Sequence, residues 1–540
     1  MPTADEDMIR RHETLSREIE RWPMPHDLSA LLDEAVERHA DRTALLFVDT
    51  DDALTFRQFR TEVLRAAAAL ARLGVEKGSH VAVMSHNCPA VPVLWFALAR
   101  LGAVQIPVNS RYTPRELAYL LDNGDAEFLL IHRDLLPVYE QLETRPVPPE
   151  RLRVIMGEGR PDAWEKSLAA ADPAAAPKPA LHPDDPSQIQ FTSGTTGFPK
   201  GCMLTHRYWV TMAQVKKGVV ALDLERALYN QNFFYLDGPI LLLLCIVKGA
   251  TLVMVWKPSA SRFVEWARRY RIQYLYFFEP LYKQPERPED GDTAIELVHI
   301  YGFNKANHAD LERRFKMRAR EAFGMTECGS AFVMPPEADH WVGSGSIGLP
   351  VAFREAMIAD DKGEPLPAGE MGELCVRGPG MMLGYYKNPE ATAETFHRGW
   401  LRTGDLARRD EKGFYFIVGR KKEMIRRNSE NIAVREVEEV IRGMPAVDEV
   451  AVVPVPDPVV GEEVKAYVKL KAGADPAAAT PDAILAFCKE RLAPFKMPRF
   501  LAFRESFPMT DSSRVEKKKL IAEDPDLRRG SYDRVEGRWL

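Results

Sequence analysis

The stretch 192–201 reads TSGTTGFPKG and directly follows a short run with strand character at 187–191. Gly194, Gly197 and Gly201 carry no side chain there, so backbone N–H groups can close on an anion. Thr192 opens the run, Ser193, Thr195 and Thr196 add hydroxyl donors, and Lys200 adds a point charge. A concave set of donors leaving a strand suits phosphate. A Walker loop needs GxxxxGK followed by Ser or Thr. Here Pro199 precedes Lys200 and Gly201 follows it, so phosphate is gripped in another manner.

Outward from this loop the pattern alternates. Upstream, Thr55-Phe56-Arg57-Gln58 reads as a capping box and the Ala-rich run 63–73 as a helix stopped by Gly74. HVAVM at 80–84 reads as a buried strand, 91–101 as a helix and 103–108 as a strand. The Ala-, Pro- and Asp-rich segment 169–186 reads as a loop. Downstream, a helix is expected near Thr205, whose hydroxyl can cap it, and 228–300 again alternates short apolar strands with helices. Strand–helix–strand alternation predicts an α/β fold of mostly parallel sheets covered by helices. The character changes after Gly419. Residues 420–427 are dense in cations, then come a helix at 434–441, strands at 449–455 and 463–470, and a helix at 481–491. The expectation is a large N-terminal domain over 1–419 and a small α+β domain over 420–540. The polar tail past Asp524 is expected to be poorly ordered.

Bulk properties narrow the function. A chain of 540 residues exceeds one hydrophobic core. A formal charge of -6 leaves no basic excess for nucleic acid. Apolar runs such as 239–247 are too short for a membrane span, and the charged N-terminus MPTADEDMIRRHETL lacks the apolar core of a secretory leader. The six cysteines (88, 202, 245, 328, 375 and 488) form no CxxC pair, which fits buried thiols in a reducing, cytoplasmic setting.

Three further motifs follow in order: FGMTE (Phe323, Gly324, Met325, Thr326, Glu327), TGD ending at Asp405, and GRKKEMI containing Arg420 and Lys422. With TSGTTGFPKG they make the chain resemble the adenylate-forming superfamily of acyl-CoA synthetases, adenylation domains and beetle luciferases, over residues 28–521. The resemblance implies a small C-terminal domain that moves between two half-reactions. A carboxylate attacks the α-phosphorus of ATP to give acyl-AMP, and coenzyme A then takes the acyl group. It implies that Thr326 bonds the α-phosphate and that Glu327 holds Mg²⁺ through a hard oxygen. It further implies that Phe323 lies near adenine, with Gly302 and Phe303 of YGFN on the adenine-side turn. Asp405 and Arg420 would contact the ribose, and Lys422 would mark the hinge.

Three positions depart from the family pattern. Where relatives carry a C-terminal lysine that bridges carboxylate and α-phosphate, this chain has Arg514, which keeps the charge in a bulkier planar form. The nearest lysine, Lys517, falls about a helical turn further on. Where relatives often carry Gly-Gly, this chain has Asn428-Ser429, bulkier residues in a loop expected to line the pantetheine path. Where many relatives have an FHxxG-like segment, Phe234-Tyr235-Leu236-Asp237-Gly238 resembles carnitine- and betaine-type CoA ligases. Tyr235, Asp237 and Gly302 are thus candidate substrate-pocket residues. Asp237 reads either as a pocket acid for a cationic substrate or as a helix cap ahead of Gly238-Pro239.

The leading expectation is an acyl-CoA ligase for a small or medium carboxylic acid, using ATP, Mg²⁺ and coenzyme A. The alternatives are an adenylating enzyme with another acceptor, such as a carrier-protein thiol or an amine, and a catalytically weak nucleotide-binding homologue. The sequence leaves a homodimer open.

Overall fold

The computed structural model describes residues 3–192, 199–427, 430–492, 494–510 and 514–540. The chain separates into two compact units, Met1–Ala356 with Val376–Leu401, and Met357–Cys375 with Arg402–Leu540. The second unit therefore begins upstream of residue 420.

The first unit holds two sheets. One has six strands in the spatial order Leu152–Ile155, Phe128–His132, His80–Met84, Val104–Val108, Pro186–Thr192 and Lys200–Thr205. All its pairings are parallel except the last, which is an antiparallel ribbon. The other sheet has nine strands, with a parallel centre formed by Arg318–Met325, Leu297–Ile300, Tyr274–Phe277, Arg226–Tyr229, Thr251–Met254 and Thr43–Phe47. Antiparallel strands flank that centre. Continuous apolar runs such as HVAVM form strands buried on both faces, as parallel sheets require.

Local signals set the helices. Thr55 and Gln58 close the expected capping box, and helix Phe56–Arg72 ends before Gly74 at φ +96°. Thr205 caps helix His206–Val219 by accepting a hydrogen bond from the Tyr208 N–H over 3.1 Å. Helix Asp237–Lys248 is apolar nearly all round and accordingly almost wholly buried.

In the second unit, helices Val434–Arg442 and Pro481–Lys489 pack on a seven-stranded sheet built around Gly461–Leu470. The expected disorder past Asp524 is corrected here. Strands Tyr532–Asp533 and Arg538–Trp539 extend this sheet. Asp533 is buried against Arg499 at 3.2 Å, and Leu527 accepts a hydrogen bond from Lys465 Nζ at 2.5 Å. The tail is held by these ion pairs and backbone bonds together with Leu527, which packs against Val455 and Phe500. All six cysteines are buried and none is in a disulfide, as expected. Among the described residues no helix is long and apolar enough to cross a membrane.

Candidate functional site

The antiparallel ribbon Pro186–Thr192 and Lys200–Thr205 brings the two ends of the glycine-rich loop together. Thr192 pairs with Lys200, and the Thr192 hydroxyl donates to the Lys200 carbonyl over 3.4 Å. Tyr119 donates its hydroxyl hydrogen to the Pro199 carbonyl over 3.2 Å. Gly201 must lack a side chain, because a Cβ there would lie 2.6 Å from Ile189 Cγ2. Ser193, Gly194, Thr195, Thr196 and Gly197 lie outside the described residues.

Phe323, Gly324 and Met325 end strand Arg318–Met325, and Thr326 and Glu327 form the turn into Gly329–Val333. A Cβ at Gly324 would lie 2.6 Å from the Gly329 carbonyl oxygen, so glycine permits this tight ribbon. Thr326 is half-buried, and Glu327 is buried with Oε1 accepting a hydrogen bond from the Tyr385 hydroxyl at 2.8 Å. Burial and the Glu327 charge push the Tyr385 hydroxyl far above its ordinary range, which keeps it a donor. Lys200 Nζ lies 4.8 Å from the centre of the same ring. Tyr385 thus links two motifs that are far apart in sequence. The sequence reading missed it, and its only local trace is the aromatic pair Tyr385-Tyr386.

Gly302 takes a positive φ of 62° at the end of strand Leu297–Ile300 and is exposed. Phe303 turns into the core against Tyr282, with ring centres 5.5 Å apart. The Tyr235 ring lies tilted against Phe234, with centres 4.5 Å apart. Asp237 is the first residue of its helix, and the N-cap position is taken by Leu236, which makes no side-chain cap hydrogen bond. There its charge faces the positive end of the helix dipole. Burial raises its proton affinity, and Lys216 offsets that.

In the second unit Asp405 is buried, with Oδ1 2.8 Å from Arg420 Nε. Arg420 also donates to the Thr403 carbonyl at 3.2 Å, and the Thr403 hydroxyl accepts from the Asp405 N–H at 3.1 Å. Asp405 and Arg420 are register partners on adjacent strands, which fixes the pair. Arg514 keeps accessible surface but is flanked by protein. Burial and the Arg420 guanidinium lower its hold on the proton, while Asp405 raises it. Lys517 is committed elsewhere, 2.8 Å from Glu438 and 3.1 Å from Glu423. Lys422 sits in the short turn Lys421–Glu423, inside the second unit.

A family model described as AMP-binding enzyme matches residues 32–386, and one described as AMP-binding enzyme C-terminal domain matches residues 436–514. A crotonobetaine/carnitine–CoA ligase of Salmonella paratyphi A is 31% identical over 515 residues, covering 92% of this chain and 98% of that protein. The o-succinylbenzoate CoA synthetase of Bacillus subtilis, solved with its acyl-adenylate intermediate, aligns at a TM-score of 0.79 and 25% identity, over 91% of this chain and 97% of that one. ATP-bound MatB from Rhodopseudomonas palustris shares the fold at a TM-score of 0.84 and 24% identity, over 91% of this chain and 98% of that one.

Proposed function

We propose, since the chain belongs to the AMP-binding enzyme family, that it is an ATP-dependent acyl-CoA ligase acting on a small or medium carboxylic acid. The observation that carries this reading is the Glu327–Tyr385–Lys200 arrangement at the root of the glycine-rich loop. A carboxylate, a locked phenol and an ammonium in one place suit the charge pattern of a bound triphosphate.

In the first step an oxygen of the acid attacks the α-phosphorus, the bond to the bridging oxygen breaks, and pyrophosphate leaves. Lys200 and the backbone donors of the glycine-rich loop hold the phosphates, and the Thr326 hydroxyl donates to the α-phosphate. Glu327 suits Mg²⁺. Its Oε1 is oriented by Tyr385, and Oε2 makes no hydrogen bond among the described contacts, leaving a hard oxygen for a cation that takes one or two carboxylates and otherwise keeps water. When bound, Mg²⁺ neutralises phosphate charge. In the second unit, Asp405 accepts from the ribose hydroxyls, Arg420 orients Asp405, and Arg514 supplies the cation that relatives take from lysine. In the second step the coenzyme A thiolate attacks the acyl carbon, the acyl–phosphate C–O bond breaks, and AMP leaves. We place this activity in the cytoplasm, where ATP and coenzyme A are available.

The test is pyrophosphate release from ATP and Mg²⁺ over a panel of acids, with and without coenzyme A. The reading predicts acid-dependent release that coenzyme A accelerates. Bound ATP with no acid-dependent release would overturn it.

A further inference from the structure

Two imidazoles and a carboxylate, none of them assigned to the nucleotide, meet at the C-terminal edge of the six-stranded sheet. Strands His80–Met84 and Phe128–His132 run parallel with Met84 opposite Ile131. That register brings His86, two residues past the first strand, beside His132, the last residue of the second. Their rings meet edge to face with centres 5.1 Å apart. Asp134, two residues further on, brings its Oδ2 to 3.7 Å from His132 Nδ1. One donor atom from each of the three lies within 4.8 Å of the other two. His132 is fully buried, His86 half-buried and Asp134 exposed, so the set opens from the core to solvent.

An exposed carboxylate beside one imidazole is ordinary. The second imidazole and the way both rings are mounted set this place apart. His132 Nδ1 accepts a hydrogen bond from the Asp134 N–H at 3.2 Å, in its own turn, and the buried Nε2 has no partner among the described residues. So weakly bonded a buried ring is poorly explained by a structural role. The accepting Nδ1 carries a lone pair, which is what a metal takes. Trp256 walls the ring, with centres 5.5 Å apart. The His86 backbone is fixed by its neighbour. Asn87 Nδ2 donates to the Gln231 and Val255 carbonyls at 2.7 and 2.9 Å, and Asn87 Oδ1 accepts from the Phe233 N–H at 2.8 Å. Tetrahedral zinc with bonds of ~2.0–2.1 Å holds its donors about 3.3 Å apart. Rotation of the Asp134 and His86 side chains closes the remaining gap on the buried His132. Imidazole suits zinc, nickel and copper, whereas Mg²⁺ takes oxygen, so this set differs in kind from Glu327.

We propose that His86, His132 and Asp134 form a binding site for a divalent transition metal of the zinc class, which clips together the chain segments leaving two parallel strands. Water completes the coordination on the exposed side. The site is independent of the proposed ligase activity. The test is calorimetric titration of the chelator-treated full chain with Zn²⁺, in excess Mg²⁺ to occupy oxygen sites. One Zn²⁺ binds per chain, and Co²⁺ in its place gives the visible absorption of a nitrogen- and oxygen-ligated ion. His86→Ala lies outside the core and weakens Zn²⁺ binding by on the order of 100-fold or more, beyond the ~10–100-fold cost of losing a partner that merely orients a ligand. Asp134→Ala weakens it as well. Zn²⁺ raises the melting temperature of the native chain and not that of His86→Ala. His182, exposed beside Asp184 at 3.7 Å, is the control for adventitious surface binding, and His182→Ala leaves the affinity unchanged. Zn²⁺ binding by His86→Ala and Asp134→Ala as tight as that of the native chain, or no calorimetric binding by the native chain, overturns the proposal.

Discussion

Tyr385 donates its hydroxyl hydrogen to Glu327 Oε1 over 2.8 Å, although the two residues are 58 positions apart. The contact joins the turn of the FGMTE segment to the loop that also pairs with Lys200–Thr205, through the isolated bridge between Cys202 and Tyr385. One phenol therefore orients the proposed Mg²⁺ carboxylate and flanks the proposed phosphate lysine.

Tyr385→Phe keeps the ring against Lys200 and removes the hydroxyl that donates to Glu327 and also meets Thr395. A hydrogen bond to a charged group contributes ~1.5–3 kcal/mol, so the variant should fold with a lowered melting temperature. Pyrophosphate release should then need more Mg²⁺ for half-maximal rate. A Mg²⁺ titration that superimposes on the native curve would mean that Glu327 does not depend on Tyr385.

Asp405→Asn should raise KM for ATP on the order of 10-fold, about the worth of one strong hydrogen bond, and leave KM for the acid nearly unchanged. The motive is the 2.8 Å pair with Arg420, which orients the carboxylate proposed to meet the ribose hydroxyls. A change confined to the acid's KM would put Asp405 in a different role.

Arg514 stands where the resemblance leads one to expect a lysine. Arg514→Ala should slow adenylation by roughly 10²–10³, as for loss of one preorganised donor aimed at developing charge. Arg514→Lys should speed adenylation, measured as single-turnover pyrophosphate release. A slower lysine variant would show that the surroundings, including Arg420 and Asp405, are adapted to the guanidinium.

His206 predicts an acid limb in stability. The ring is fully buried, neither ring nitrogen has a hydrogen-bond partner among the described residues, and burial lowers its pKa to about 4. Because the unfolded chain binds the proton first, stability is intact above the unfolded value of ~6.5 and falls as pH drops from there towards about 4. The loss amounts to about 3 kcal/mol at ~1.4 kcal/mol per unit. Urea midpoints between pH 7 and 4 should show this slope, and His206→Met should flatten it. An unchanged slope in that variant would assign the acid limb to other groups.

Much of the fold was legible because its determinants are local. Strand His80–Met84 and the Thr55–Gln58 capping box agree with expectations drawn from neighbouring residues alone. The family-level reading was legible for a related reason: its residues cluster in short ordered motifs. What escaped is long-range. Tyr385 meets Glu327, Arg499 meets Asp533, and Lys216 meets Tyr301 only after the sheets have formed, and no periodicity encodes such pairs. Asp237 shows the limit most plainly. Its surroundings in sequence suggest a helix cap or a cationic-substrate acid, whereas in the fold it opens its helix after the N-cap residue Leu236 and burial raises its proton affinity.

The most direct test of the central claim follows oxygen. The enzyme is given a carboxylic acid labelled with ¹⁸O in its carboxylate, together with ATP, Mg²⁺ and coenzyme A, and the AMP is examined by mass spectrometry. If the acid attacks the α-phosphorus and thiolysis then breaks the C–O bond, each AMP carries one labelled oxygen. Unlabelled AMP, or label appearing in inorganic phosphate beside ADP, would contradict an acyl-adenylate route.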